Sequence, residues 1–136
     1  MSGSGTLTYP QGTLQWNSIQ GKRSTMEDEH HFSGNANYTA AFVFDGHGGD
    51  EMAKHLRMVF DIQVPEMARM DDMQIKARWK QIDDRAQESK IPAGSTASGF
   101  IRKDGAWHIY NTGDSRTYII DRVTRQIVAR TMDHDP

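Results

Sequence analysis

Cysteine is absent from the 136 residues, which removes disulfides, thiolate nucleophiles and Cys-based zinc sites at once. Long apolar runs are absent too. The longest uninterrupted one is Ala40–Phe44, far short of the roughly 20 residues that a spanning helix needs. Neither sign of charge dominates: 16 Lys and Arg stand against 18 Asp and Glu, a net charge of −2. The basic residues are scattered singly, so no patch argues for nucleic acid. Neither a membrane nor a nucleic-acid partner is expected, and the cytoplasm is the default compartment. Met1-Ser2-Gly3-Ser4-Gly5 lacks the charge and the apolar stretch of a secretory leader and reads as flexible chain. Residues 1–12 are therefore expected to form a tail, with one domain over 13–136.

What is present is enough for a small core. Hydrophobic residues make up 36% and charged residues 25%, and a chain of this size hides about two-thirds of its surface. Thr13 to Ile19 alternates apolar with polar, the period of a half-buried strand. His30-His31-Phe32 is a short strand candidate before the turn-forming Ser33-Gly34-Asn35. Thr39–Phe44 is a continuous apolar run, as in a strand covered on both faces. Met52, Leu56, Val59, Phe60 and Gln63 then recur at helical spacing, and Pro65 is expected to interrupt that helix. Ile75, Trp79, Ile82 and Ala86 form the stripe of a second helix that ends before Pro92. Trp79 reads as core, and Met67, Met70 and Met73 as packing residues. Beyond Ala93 the period becomes two, predicting strands at Thr96–Ile101, Ala106–Asn111, Thr117–Ile120 and Gln126–Arg130. Lys103-Asp104-Gly105 and Asp121 to Arg125 supply the turns. The pattern is α+β, with two helices packed on a mainly antiparallel sheet.

The densest chemistry lies where the apolar strand ends, in Phe42-Val43-Phe44-Asp45-Gly46-His47-Gly48-Gly49-Asp50-Glu51. A dinucleotide fingerprint fails because Glu51 stands where its last glycine belongs. A P-loop fails because Asp50-Glu51 replaces Lys-Ser/Thr. Asp45 and Asp50 would also repel a phosphate unless a cation lay between them. An acid at a strand end, followed by a glycine whose carbonyl can turn freely, offers oxygen ligands for Mg²⁺ or Mn²⁺. The competing reading is a tight turn in which Asp45 only caps the next helix.

Other segments carry similar groupings. Gly21 to Asp28, GKRSTMED, sets Arg23 ahead of two adjacent acids, Glu27 and Asp28. A capping box from Ser24 to Glu27 is its bland alternative. Ala93-Gly94-Ser95-Thr96-Ala97 opens the meander with small residues. Asn111-Thr112-Gly113-Asp114-Ser115-Arg116 puts an acid at a strand junction, where a turn-forming aspartate is the rival reading. Taken in order, GKRSTMED, FVFDGHGG, AGSTA, NTGDSR and TMDHDP resemble the metal-dependent Ser/Thr protein phosphatases of type 2C. The wording Met-Glu-Asp and Asp-Gly-His-Gly-Gly is similar to the eukaryotic branch. The likeness runs from about Leu14 to Pro136.

This resemblance implies a β-sandwich with flanking helices, of which the chain would hold two helices and an antiparallel meander. It implies hydrolysis of phosphoserine and phosphothreonine in proteins by a metal-activated water, with two Mg²⁺ or Mn²⁺ ions and a phosphoprotein as substrate. Asp45 matches the carboxylate that bridges the two ions. Glu27 and the Gly46 carbonyl match further ligands of one ion, and Asp28 matches an acid that positions water. Arg23 matches the phosphate-gripping side chain, suited by its planar fork, although it could pair instead with Glu27 or Asp28. His47 matches the general acid for the leaving alkoxide, against the alternatives of a ligand or a solvated loop histidine. Asp114 matches an acid at a third, weaker metal site.

The family pattern continues past the TMDHDP-like motif, with a flap, more strands and two later aspartates at the second ion. Asp133 and Asp135 do not match those aspartates. One metal site is thus expected largely intact, and the isolated chain weak or inactive. The alternative function is an inactive phosphatase-like binding or regulatory module, or a structural subunit. A protein partner or a second copy would then cover the open sheet.

Overall fold

A computed structural model describes residues 3–10, 12–20 and 26–132. The elements follow the chain as β1 (Gly3–Tyr9), β2 (Gly12–Ser18), β3 (Asp28–Gly34), β4 (Tyr38–His47), α1 (Glu51–Met67), α2 (Asp72–Glu88), β5 (Gly94–Ser95), β6 (Ala97–Lys103), β7 (Ala106–Thr112), β8 (Tyr118–Ile120) and β9 (Ile127–Arg130). Strands β3-β4-β6-β7 form the central sheet, with β5 paired to the end of β4. Every pairing among the described residues is antiparallel. The α+β reading is confirmed, and so is the helix pair between the second and third motifs.

Strand alternation decides which face meets the helices. Ala40, Phe42 and Phe44 of β4 are fully buried, while Val43 between them is exposed. The buried side packs on α1 and α2. Phe60 of α1 sits edge-on to Phe42 at 5.1 Å and to Phe44 at 4.8 Å between ring centroids. Trp79 of α2 lies 5.5 Å from Phe60 and stacks on Tyr110 at 5.7 Å. Its indole N–H donates to Thr112 Oγ1 at 2.8 Å, which satisfies the one polar atom of a large core side chain. Trp79 is core, as its place on the stripe suggests. Met73 departs from the expectation: it is 80% exposed, because α2 starts only at Asp72 and its first turn points Met73 outward.

Two polar ties also join α1 to β3. Arg57 pairs with Glu29 at 2.9 Å. His31 is buried, with Nδ1 2.6 Å from Asp61 and Nε2 2.8 Å from Ser33 Oγ. Burial pushes the His31 pKa down, and the Asp61 carboxylate opposes this in part.

Two local expectations change. Pro65 does not interrupt α1, which runs through it to Met67. A proline costs the helix one N–H, but Val64 and Met67 are wholly buried on either side of it and hold the last turn against the core. The expected tail over 1–12 also differs, since Gly3–Tyr9 pairs in register with Gly12–Ser18. Its glycines make room for an aromatic ring rather than for motion. Gly5 stands opposite Trp16, and a Cβ there would come within 2.6 Å of the indole Nε1. Trp16 in turn contacts His30 at 4.7 Å and Phe32 at 6.2 Å, seating this hairpin on the sheet face away from the helices.

The predicted turns form where expected. Asp104 and Gly105 both have positive φ, 52° and 72°, joining β6 to β7 in the two-residue hairpin such residues favour. Asp121 Oδ1 accepts from the amides of Val123 and Thr124 in the β8–β9 turn. At the start of α2, Asp71 and Gln74 form a reciprocal capping box. No helix of the described residues is long and apolar enough to cross a membrane.

Candidate metal and phosphate site

The site forms where β3 begins and β4 ends. These strands pair so that Asp28 lies opposite Asp45. One step further out, the Gly46 amide donates to the Glu27 carbonyl at 3.2 Å. Because that neighbouring pair is hydrogen-bonded, Asp28 and Asp45 occupy the closer, non-hydrogen-bonded type of pair. Side chains opposed in this way have Cβ atoms about 4.5–5.5 Å apart. Both carboxylates are exposed, on the sheet face away from the helices. They line a cleft of about 260 Å³ walled by Trp16, His30 and Val43.

Glycine is required at 46 for lack of space. Gly46 is buried, and a Cβ there would run into the Glu27 carbonyl oxygen and press on Ala53 at 3.3 Å. The bare backbone lets β3 and β4 close at the point where the acids meet. Gly48 and Gly49 have φ of 72° and 122°, which turns the chain sharply from β4 into α1. Asp50 occupies the N-cap position of α1 but makes no side-chain cap; it pairs with Lys54 at 2.7 Å instead. Asp45 lies inside β4 and does not cap α1 either.

On the other edge of β4 the small-residue segment takes up its role. Gly46 pairs with Ser95, and His47 with Gly94. The imidazole of exposed His47 lies over Gly94, where any Cβ would overlap the ring. Thr96 grips the main chain of Asp45 from both sides. Its amide donates to the Asp45 carbonyl at 3.0 Å, and its hydroxyl accepts from the Asp45 amide at 3.2 Å. The sequence alone shows Thr96 only as one small residue among several, and nothing in a single sequence marks a hydroxyl that replaces a strand rung.

Asp114 is exposed in the loop between β7 and β8. It is brought to this neighbourhood by its own neighbours, since Ser115 Oγ bonds Thr96 Oγ1 and Gly113 packs against the Thr96 methyl. The structure therefore gathers Glu27, Asp28, Asp45, Gly46 and His47 at one strand end, with Asp114 linked to them through Thr96. Arg23, and the Asp133 and Asp135 of the last motif, lie outside the described residues.

Among the described residues no three His, Asp or Glu side chains form a metal-holding group. The oxygen donors here are the carboxylates of two facing strand ends and the main-chain carbonyl of Gly46. That donor set suits hard cations such as Mg²⁺ and Mn²⁺, which accept carboxylate and carbonyl oxygen and retain several waters. It offers no sulfur and no clustered imidazoles, so it does not suit softer metals.

Comparison with known proteins gives the family. The family model "Protein phosphatase 2C" matches residues 13–136. Probable protein phosphatase 2C 76 of Arabidopsis thaliana is 32% identical over 130 residues, covering 88% of this chain and 30% of the relative. Probable protein phosphatase 2C member 13, mitochondrial, of Oryza sativa subsp. japonica is 32% identical over 133 residues, covering 89% and 36%. Probable protein phosphatase 2C 7 of the same rice is 30% identical over 132 residues, covering 89% and 34%. The chain thus spans about a third of the length of these curated relatives. A match along nearly its whole length, with the acids and glycines of the motifs brought to one strand end, makes this chain a member of the protein phosphatase 2C family.

Proposed function

We propose that this chain carries part of the active site of a metal-dependent phosphatase acting on phosphoserine and phosphothreonine in proteins. The observation that carries the reading is the facing pair Asp28 and Asp45 beside the buried Gly46. Two acids opposed on paired strands beside a buried glycine offer oxygen ligands of the kind a hard cation accepts. Asp45, Glu27 and the Gly46 carbonyl would hold a Mg²⁺ or Mn²⁺ ion, with Asp28 beside them to orient water. The bound cation would supply charge to offset the phosphoryl oxygens and to lower the pKa of water.

The remaining work falls to side chains. His47, exposed at the end of β4 and resting on Gly94, donates a proton to the leaving serine or threonine oxygen, a contribution of about 10²–10⁴-fold. Arg23 binds the phosphate through its planar fork. Asp114 contributes to a further, weaker cation site. The substrate is a phosphorylated protein segment whose phosphate reaches the exposed strand end.

The test is Mn²⁺-dependent hydrolysis of a small aryl phosphate with the later part of the family domain supplied in trans, compared between the wild type and Asp45→Asn. Loss of turnover in a folded variant supports the reading, and unchanged turnover overturns it. Mn²⁺ binding that depends on Asp45 but accompanies no turnover in the wild type would favour the binding-module alternative.

A further inference from the structure

The continuation of the β4 ladder has a substitution in it. Val43 pairs with Ser98, and Gly46 with Ser95, so the same register sets Thr96 opposite Asp45. An ordinary antiparallel ladder would exchange main-chain bonds between opposed residues or leave both unbonded. Here the Thr96 amide donates to the Asp45 carbonyl at 3.0 Å, but the Asp45 amide goes to the Thr96 side chain at 3.2 Å. The Thr96 carbonyl is taken by the Ser95 hydroxyl at 2.8 Å. A hydroxyl has thus replaced one backbone acceptor at the residue that carries the central acid.

That hydroxyl is shared. Having accepted from the Asp45 amide, Thr96 Oγ1 also bonds Ser115 Oγ. The Thr96 methyl is fixed on its other side by Gly113, where φ is 93° and a Cβ would approach it to 2.7 Å. Both chain neighbours of Asp114 therefore rest on Thr96, as does the main chain of Asp45. Thr96 itself is 8% exposed, so the arrangement is packed rather than solvated.

We infer that Thr96 is a positioning residue for the phosphatase site: through the hydroxyl it shares between the Asp45 amide and Ser115 it fixes Asp114 relative to Asp45. This rests on the metal-binding reading above and deepens it. Its effect passes through the placement of two acids that the metal-binding reading assigns to the cation. Removing the hydroxyl leaves the Asp45 amide without its acceptor and cuts the tie to Ser115. Removing only the methyl leaves both bonds in place.

Four variants of the full chain test this: Thr96→Val, Thr96→Ser, Ser115→Ala and Asp45→Asn. Mn²⁺ affinity is read from the electron paramagnetic resonance of free Mn²⁺, and folding from metal-free thermal melts and circular dichroism. Loss of a residue that orients a metal ligand weakens affinity by about 10–100-fold. Thr96→Val is expected to fall in that range, with Thr96→Ser within about twofold of wild type on the same scale. Ser115→Ala is expected to weaken binding with a melt close to wild type, and it carries the test if Thr96→Val fails to fold. Wild-type affinity in Thr96→Val or Ser115→Ala, with binding lost in Asp45→Asn, overturns the positioning role and leaves the metal site standing. Unchanged affinity in Asp45→Asn overturns both.

Discussion

Asp28 and Asp45 lie opposite one another on paired strands, on the sheet face that the helices leave uncovered. The other face of β4 is enclosed, with Phe42 and Phe44 fully buried, so the strand is held from that side.

Asp45 is exposed, so Asp45→Asn is expected to leave the metal-free protein folded and within about 1 kcal/mol of wild type, the range for cross-strand pairs. The same substitution should abolish stabilisation by added Mn²⁺, since only binding to the folded state raises the melting temperature. Thermal melts with and without Mn²⁺ check both halves. A variant that melts well below wild type without metal would show Asp45 to be a structural residue.

Gly94→Ala tests the place of His47. The added methyl would overlap the imidazole, and a side chain moves more readily than main chain, so the ring is expected to shift. Loss of a correctly placed general acid costs about 10²–10⁴-fold in turnover, while stability should change by no more than about 1 kcal/mol. Hydrolysis rates and urea unfolding give the two numbers. Wild-type turnover with a confirmed ring shift would remove His47 from the chemistry.

A pH dependence follows from His31. Burial lowers its pKa, with Asp61 opposing, so on acidification the unfolded chain takes up the proton first. The stability it contributes is complete above its unfolded pKa of about 6.5 and is lost as pH falls toward the lower folded value. His30 is shifted down too, by burial and then by Arg57, and adds to the same trend. Urea unfolding at pH 7.5 and 5.5 should show the lower stability at pH 5.5, and His31→Gln should reduce the difference. A pH-independent wild type would contradict the burial argument.

Phe60→Ala tests the core that holds the strand end in place. Phe60 is 1% exposed and meets Phe42, Phe44 and Trp79 edge-on. Deleting a ring so enclosed typically costs about 3–5 kcal/mol, measured by denaturant unfolding. A loss under about 1 kcal/mol would mean that the helix pair is not packed on β4 as described.

Much of this arrangement was legible because it rests on period and on residue chemistry. The run ending at Phe44 announced a strand, though one covered on a single face, since Val43 and Asp45 are exposed on the other; the stripes through Leu56 and Ile75 announced the helices, and Asp104-Gly105 announced a hairpin. The acids at 27, 28 and 45 and the glycine at 46 could be picked out because five motifs in order resemble one family, since each motif alone also reads as a turn or a cap. What escaped was set by three-dimensional fit. Gly3 and Gly5 read as loose chain, yet they clear a path for Trp16. Pro65 reads as a stop, yet buried neighbours carry the helix past it. The Asp71–Gln74 capping box and Thr96 both went unread, the latter because its importance depends on which strand lies opposite.

The most direct test of the central claim is the anomalous diffraction of Mn²⁺ bound to crystals of this protein. The account predicts a peak within coordination distance, roughly 2.0–2.6 Å for hard cations on oxygen, of the Asp45 carboxylate and the Gly46 carbonyl. Saturating Mn²⁺ with no peak at that strand end, or a peak whose ligands exclude Asp45, would contradict it.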